Sequence, residues 1–282
     1  MGSALEIRPI SREEFDIAVS WAREEGWNPG LADGDCFYAS DPGGYLMAFE
    51  DGLPLASISV VAYGETFGFL GFYICRPERR GEGIGYRLWQ AGLERLEGRT
   101  VGLDGVVDQQ ANYRKEGFVL EHRNVRYGGR VDCDAPQDPR LRAIGPEEVE
   151  AVVAYDAPFF AAPRETFLRG WLRRSEARFG SVLIDGGAVR GYGVLRRCHE
   201  GFKVGPLFAD SREDADLLFR SLAAETKGEP VYLDPPQPNA AAVSLAESYG
   251  LTPVFETARM YRGTAPRLPL ARTFGITTFE LG

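Results

Sequence analysis

The chain has 282 residues, 44% of them hydrophobic and 12% aromatic, with a formal net charge of −9. This composition excludes a disordered chain, and the length favours two domains of ordinary size. The charge is uneven, with 14 Lys/Arg against 22 Asp/Glu in residues 1–134 and 18 against 19 in residues 135–282, so no basic footprint for nucleic acid is present.

In chain order, Ile7 opens a strand and Ser11 is an N-cap for a helix over 12–25, with Glu14 completing a capping box. A polar loop Gly26-Trp27-Asn28-Pro29-Gly30-Leu31-Ala32-Asp33 follows. Strands Tyr45–Phe49 and Leu55–Val61 are joined at Asp51-Gly52, a strong hairpin signal. An apolar strand Phe69–Cys75 then breaks at Pro77 and enters the turn Arg80-Gly81-Glu82-Gly83-Ile84-Gly85. The helix beyond it carries Leu88, Trp89, Leu93 and Leu96 on one side. Strand, glycine turn and helix N-terminus in that order make an anion cradle. Glycine lets the backbone approach, and the first helical N–H groups lack internal acceptors. Arg76, Arg79 and Arg80 add cations to an otherwise acidic region. The spacing is not Walker A, because no Gly-Lys-Ser/Thr follows, and it lacks the end of a dinucleotide fingerprint.

Val101–Asp104 reads as the next strand, followed by Ala111-Asn112-Tyr113-Arg114-Lys115-Glu116-Gly117-Phe118. Asp132–Pro139 is a polar, Pro-interrupted linker. The second half repeats the plan, with Ser181–Ile184 and Val189–Leu195 around Asp185-Gly186-Gly187, then Phe202–Phe208 and Val231–Asp234. Val231-Tyr-Leu-Asp234 echoes Val101-Gly-Leu-Asp104, and Arg259-Met-Tyr261 echoes Val125-Arg-Tyr127. The copies are unequal. No glycine cradle follows Phe208, where Ser211 reads as an ordinary N-cap, and the position matching Tyr113 is Ala246. One ligand site is therefore expected, in the first half.

Arg80-x-x-Gly83-x-Gly85 preceded by Cys75-x-Pro77 resembles the acyl-CoA pyrophosphate loop of the GNAT N-acetyltransferase superfamily. Tyr113-x-Lys115-x-Gly117-Phe118 resembles that family's second motif. With GWNPGL, LDGV, RNVRYGG and RMYRG, the resemblance spans roughly residues 5–263 and extends to a bacterial two-domain subgroup with a degenerate second copy. It implies an α+β tandem GNAT fold, with a mixed sheet flanked by helices in each domain. The expected domains are 1–131 (catalytic), 132–139 (linker) and 140–282 (degenerate), the last shaping the substrate pocket or a subunit interface. It further implies an N-acyltransferase that moves an acyl group, chiefly acetyl, from acetyl-CoA to a small-molecule or peptide amine. The runner-up is a non-catalytic acyl-CoA sensor.

In that reading Arg79, Arg80, Gly81, Glu82, Gly83, Ile84 and Gly85 hold the pyrophosphate. Backbone groups near Ile74 and Cys75 meet the pantetheine arm, a contact that requires a local break in sheet pairing. Asn112 bonds the pantetheine or orients Tyr113, and Tyr113 is the general acid, since a phenol keeps its proton at neutral pH. The base is open. The position some relatives fill with Glu is Phe69, leaving Asp104 at its strand end or Asp33 as carboxylates to meet an amine, with Trp27 and Asn28 beside Asp33 in the substrate loop. Cys75 as nucleophile lacks a neighbouring base and reads as a small hydrophobe. Four scattered cysteines and two histidines argue for reduced thiols and no metal. The chain shows neither about 18 successive apolar residues nor a leader, so a cytoplasmic protein with no membrane partner is expected, with a homodimer left open.

Overall fold

A computed structural model of the chain describes residues 4–282. The first half runs β1 (Glu6–Pro9), α1 (Arg12–Glu24), α2 (Asp33–Ser40), β2 (Tyr45–Glu50), β3 (Leu53–Tyr63), β4 (Phe67–Cys75), α3 (Ile84–Arg95), β5 (Thr100–Val106), α4 (Gln110–Lys115) and β6 (Val119–Arg130). The second runs β7 (Leu141–Ala143), α5 (Val149–Asp156), α6 (Glu165–Trp171), β8 (Arg178–Asp185), β9 (Ala188–Arg197), β10 (Phe202–Ala209), α7 (Arg212–Ala223), β11 (Pro230–Leu233), α8 (Ala240–Ser248), β12 (Thr252–Arg262) and β13 (Thr273–Gly275). Helices flank a mixed sheet, an α+β architecture.

Local chemistry sets several boundaries. The Glu14 amide donates to Ser11 Oγ at 3.2 Å and the Ser11 amide donates to Glu14 Oε2 at 2.9 Å, closing the capping box. Ser211 Oγ accepts from the Asp214 amide at 3.1 Å and starts α7. Asp51 and Gly52 have φ of 50° and 76°, the paired positive angles of a tight hairpin. Helix α2, in contrast, has no side-chain cap and forms where Phe37 inserts against Phe72, Phe167 and Trp171, with ring centroids 5.9, 6.4 and 5.8 Å away. Tertiary packing, not propensity, holds it.

The strands form one sheet in the order β1-β2-β3-β4-β5-β12-β6-β11-β10-β9-β8-β7, with β13 pairing β10 off this path. The halves exchange their long late strands. β12 pairs β5 of the first half, and β6 pairs β11 of the second. Two ion pairs cross the exchange. Arg126 on β6 grips Asp234, just beyond β11, with both contacts at 2.8 Å, and Arg259 on β12 grips Asp104 on β5 at 2.9 and 2.7 Å. One buried cluster also joins Phe15, Phe37 and Phe72 to Phe160, Phe167 and Trp171. The sheet and this cluster therefore run across the boundary expected at 132–139. All four cysteines are free thiols. Among the described residues no helix is long and apolar enough to cross a membrane.

His122 on β6 lies opposite Arg259 and is 8% exposed. Burial, with Arg259 adding to it and Asn124 opposing, lowers its pKa to about 4 from 6.5. Above pH 6.5 both folded and unfolded states are neutral at this site. As pH falls toward 4, the unfolded chain takes a proton that the folded chain refuses, so stability is lost in that window, by at most about 3 kcal/mol. Urea unfolding of the protein and of His122→Gln at pH 7 and pH 4.5 should show a smaller acid loss in the variant.

Candidate active site

Strands β4 and β5 pair in parallel only from Phe67–Leu70 to Thr100–Leu103. Beyond Leu70, β4 bulges. Ser59 pairs Gly71 but Ser57 pairs Ile74, Phe72 takes φ of 45°, and Ser57 Oγ donates to the Phe72 carbonyl at 2.9 Å. β5 meanwhile continues along β12 to Val106. The two strands part, and the backbone of β4 from Gly71 to Cys75 is unpaired on the β5 side. An inner cavity and a wider outer groove occupy the gap, sharing Trp27, Tyr73, Val106 and Gln109 as walls.

The groove ends at the glycine turn. Gly81 and Gly83 have φ of 85° and 77°, open only to glycine at low cost, and Gly83 caps α3. Gly85 is needed for another reason, since a Cβ there would lie 2.9 Å from the Tyr73 hydroxyl. The Arg87 amide donates to the Gly83 carbonyl at 3.1 Å, and the helix amides before it have no helical acceptor. The turn residues Arg79 to Gly81 and Gly83 to Gly85, together with Ile74 and Cys75, line the groove. Glu82 does not. It pairs Arg79 at 2.9 Å. The arginines are compensated: Arg76 by Glu78 at 2.5 Å, Arg79 also by Glu50 at 2.9 Å, and Arg80 by Glu25 at 2.5 Å. Such surface pairs contribute about 0–1 kcal/mol, so a phosphate can replace the carboxylates. Cys75 is half-buried, and burial pushes its thiol pKa up, against a nucleophilic role.

Tyr113 projects from α4 into the inner cavity. Its ring stacks on Trp89 at 5.2 Å and 19°, and a Cβ at Gly105 would lie 2.7 Å from it. Its hydroxyl has no hydrogen-bond partner among the described residues. Burial, with Tyr73 nearby, raises its pKa, and burial pushes that of Tyr73 up to about 12. Both phenols therefore keep their protons at any physiological pH. Asn112, expected at the pantetheine or at Tyr113, is exposed and bonds Gln109 at 3.0 Å and Lys115 at 3.3 Å instead.

The expected carboxylates are occupied. Asp104 borders the cavity, but Oδ1 accepts from Arg259 at 2.9 Å and Asn124 at 2.8 Å, Oδ2 accepts from Arg259 at 2.7 Å, and its side chain is 0% exposed. It is a strand-joining ion pair whose side chain is closed to solvent. Asp33 opens α2 rather than ending a loop. It is buried, accepts from the Gly30 amide at 3.1 Å and pairs Arg196 and Arg178 of the second half. Asn28 bonds the Glu200 amide and carbonyl at 2.9 and 2.8 Å, so it fastens the loop to the second half and lines neither cavity nor groove. Trp27 does border both. Its carbonyl accepts from Lys203 at 2.9 Å and Arg126 at 3.3 Å, which holds the indole in place.

Four cavity residues belong to the second half: Phe255 and Thr257 on β12, and Phe279 and Glu280 beyond β13. No motif marks them. The strand exchange brings Phe255 and Thr257 to the cavity, and the segment beyond β13 carries Phe279 and Glu280 there. Glu280 is 6% exposed, and its backbone crosses β4 where a Cβ at Gly71 would lie 2.1 Å from the Glu280 carbonyl oxygen. Tyr73 and Gln109 were legible only as neighbours of the motifs.

Residues 5–118 match the acetyltransferase (GNAT) family and residues 152–275 match an acetyltransferase (GNAT) domain. The chain is 33% identical over 278 residues to the holothin acyltransferase of Pseudoalteromonas sp. (strain SANK 73390), covering 98% of this chain and 94% of that one. A solved structure of a candidate acetyltransferase from Pyrococcus horikoshii superposes with a TM-score of 0.81 at 22% identity, over 99% of this chain and 96% of that one. A tandem GNAT protein from the clavulanic acid biosynthesis pathway superposes with a TM-score of 0.63 at 15% identity, over 93% of this chain and 100% of that one. These two structural likenesses concern the fold alone.

Proposed function

Because the chain belongs to the GNAT acetyltransferase family, we propose that this acyltransferase moves an acetyl or other acyl group from acyl-CoA directly to a primary amine. The observation that carries this reading is the parting of β4 and β5, which joins an anion cradle at one end to Tyr113 at the other. A CoA fits the residues present. The amides after Gly81 and the freed arginines take its pyrophosphate, and the unpaired β4 backbone from Gly71 to Cys75 takes the pantetheine amides. The cofactor supplies an activated thioester. The β4 amides polarise its carbonyl, Tyr113 delivers a proton to the departing sulfur, and the aromatic walls keep water out.

The second half has no cradle after β10, since Ser211 caps α7 in an ordinary way. It serves the single site by supplying walls. The test is thiol release from acetyl-CoA over a panel of primary amines. Holothin belongs in that panel because the similar protein is named for it. Release above the hydrolysis background with at least one amine is the expected result. Acetyl-CoA binding with no release for any amine would make the chain an acyl-CoA-binding protein instead.

A further inference from the structure

Glu280 is held at the cavity without a direct hydrogen-bond or ion-pair partner among the described residues. The segment after β13 is pinned along its length. The Ile276 amide donates to the Asp234 carbonyl at 3.0 Å, Arg164 donates to Thr277 Oγ1 at 3.1 Å, and the Leu281 amide donates to Thr278 Oγ1 at 3.0 Å. The Tyr63 hydroxyl donates to the Leu281 carbonyl at 3.2 Å. These bonds carry Glu280 over Gly71 and into the cavity wall. There its carboxylate has no hydrogen bond or direct ion pair with any described residue, although the residue is only 6% exposed. Three buried cations act on it through space while making their direct contacts elsewhere: Arg126 with Asp234, Arg196 with Asp33, and Lys203 with the Trp27 carbonyl. A carboxylate in a largely buried wall with no hydrogen bond from the protein keeps its lone pairs for whatever enters the cavity. The other walls are mostly aromatic and aliphatic, with Trp27, Phe72, Phe255 and Phe279 around the same space, beside the polar Gln109 and Thr257 and an Asp104 already paired with Arg259.

We propose that Glu280, delivered by the degenerate half, is the carboxylate that faces the acceptor nitrogen, and that the acceptor is a small primary amine with an apolar body. This rests on the acyl-transfer reading above. Glu280 first draws the amine in as its ammonium partner. The ammonium gives one proton to solvent, and the neutral amine's lone pair then forms the N–C bond to the thioester carbon, the C–S bond breaks, the surplus amine proton passes to the Glu280 carboxylate, and the thiolate takes a proton from Tyr113. Return of the proton from Glu280 through solvent restores Tyr113, so the one proton released overall is the one the ammonium gave up. Polyamines and peptide lysines fit poorly, because their further charges or backbone would have to enter aromatic walls.

The experiment compares 2-phenylethylamine, spermidine and a lysine-bearing peptide with acetyl-CoA. The expected order puts 2-phenylethylamine first in kcat/KM. A preference for spermidine or the peptide overturns the acceptor assignment. Glu280→Gln should lower kcat/KM for 2-phenylethylamine at least about tenfold with acetyl-CoA affinity within about twofold of the parent. Glu280→Asp keeps the charge that balances the buried cations but withdraws the carboxylate, so it should stay folded and still lose activity. Wild-type activity in either folded variant overturns the role of Glu280 and leaves the acyl-transfer reading standing. A parent protein that binds acetyl-CoA yet acylates no amine overturns that reading and this proposal together.

Discussion

Replacing Tyr113 with Phe is expected to lower turnover about 10²- to 10⁴-fold while acetyl-CoA affinity and stability stay near those of the parent. The ring is what packs, against Trp89 at 5.2 Å and Phe118 at 6.5 Å, and Phe keeps it. The hydroxyl gives up no protein hydrogen bond, so the stability change should be within about 1 kcal/mol. Its raised pKa does not disqualify it as an acid. The burial that disfavours the phenolate also disfavours a thiolate released beside it, so the proton transfer stays roughly balanced. The pH profile of kcat should show no limb from Tyr113 at physiological pH, because the phenol stays protonated there. Steady-state kinetics with a bound-CoA titration checks both halves of the statement. Equal turnover in the parent and the Phe variant would reduce Tyr113 to a core aromatic, and Tyr73, whose hydroxyl lies at the same junction, would be the next phenol to test.

The second large effect is structural. Asp104→Ala should destabilise the protein by about 3–5 kcal/mol, because it leaves the Arg259 guanidinium buried without its counter-charge. Much of that loss should return in Asp104→Leu combined with Arg259→Met, where no charge is left to desolvate. The pair joins β5 of one half to β12 of the other. Denaturant unfolding, followed by circular dichroism and by tryptophan fluorescence, should therefore remain one coincident transition, shifted as a whole. Two separate transitions, with only one moved, would mean that the halves unfold independently despite the exchanged strands.

The turn from Arg80 to Gly85 and the run from Tyr113 to Phe118 were legible because their chemistry is local. Left-handed glycines at 81 and 83 and a helix start depend on a few consecutive residues. The capping box at Ser11, the Asp51-Gly52 hairpin and the repeat of Val-x-Leu-Asp were legible for the same reason.

The carboxylates show the limit. From the sequence alone, Asp33 and Asp104 stood in the right segments to meet an amine, yet both are consumed by arginines 145 or more positions away. Glu280, which carries no motif, is the carboxylate left unpaired at the cavity. Sequence by itself determined the family, the two-copy plan and the single cradle, since each is written in short-range spacing. Only the tertiary structure decided that the copies trade strands and that the second half adds Phe255, Thr257, Phe279 and Glu280 to the cavity wall. Strand exchange and charge pairing depend on which residues meet across the sheet, and a carboxylate's role depends on whether an arginine reaches it first.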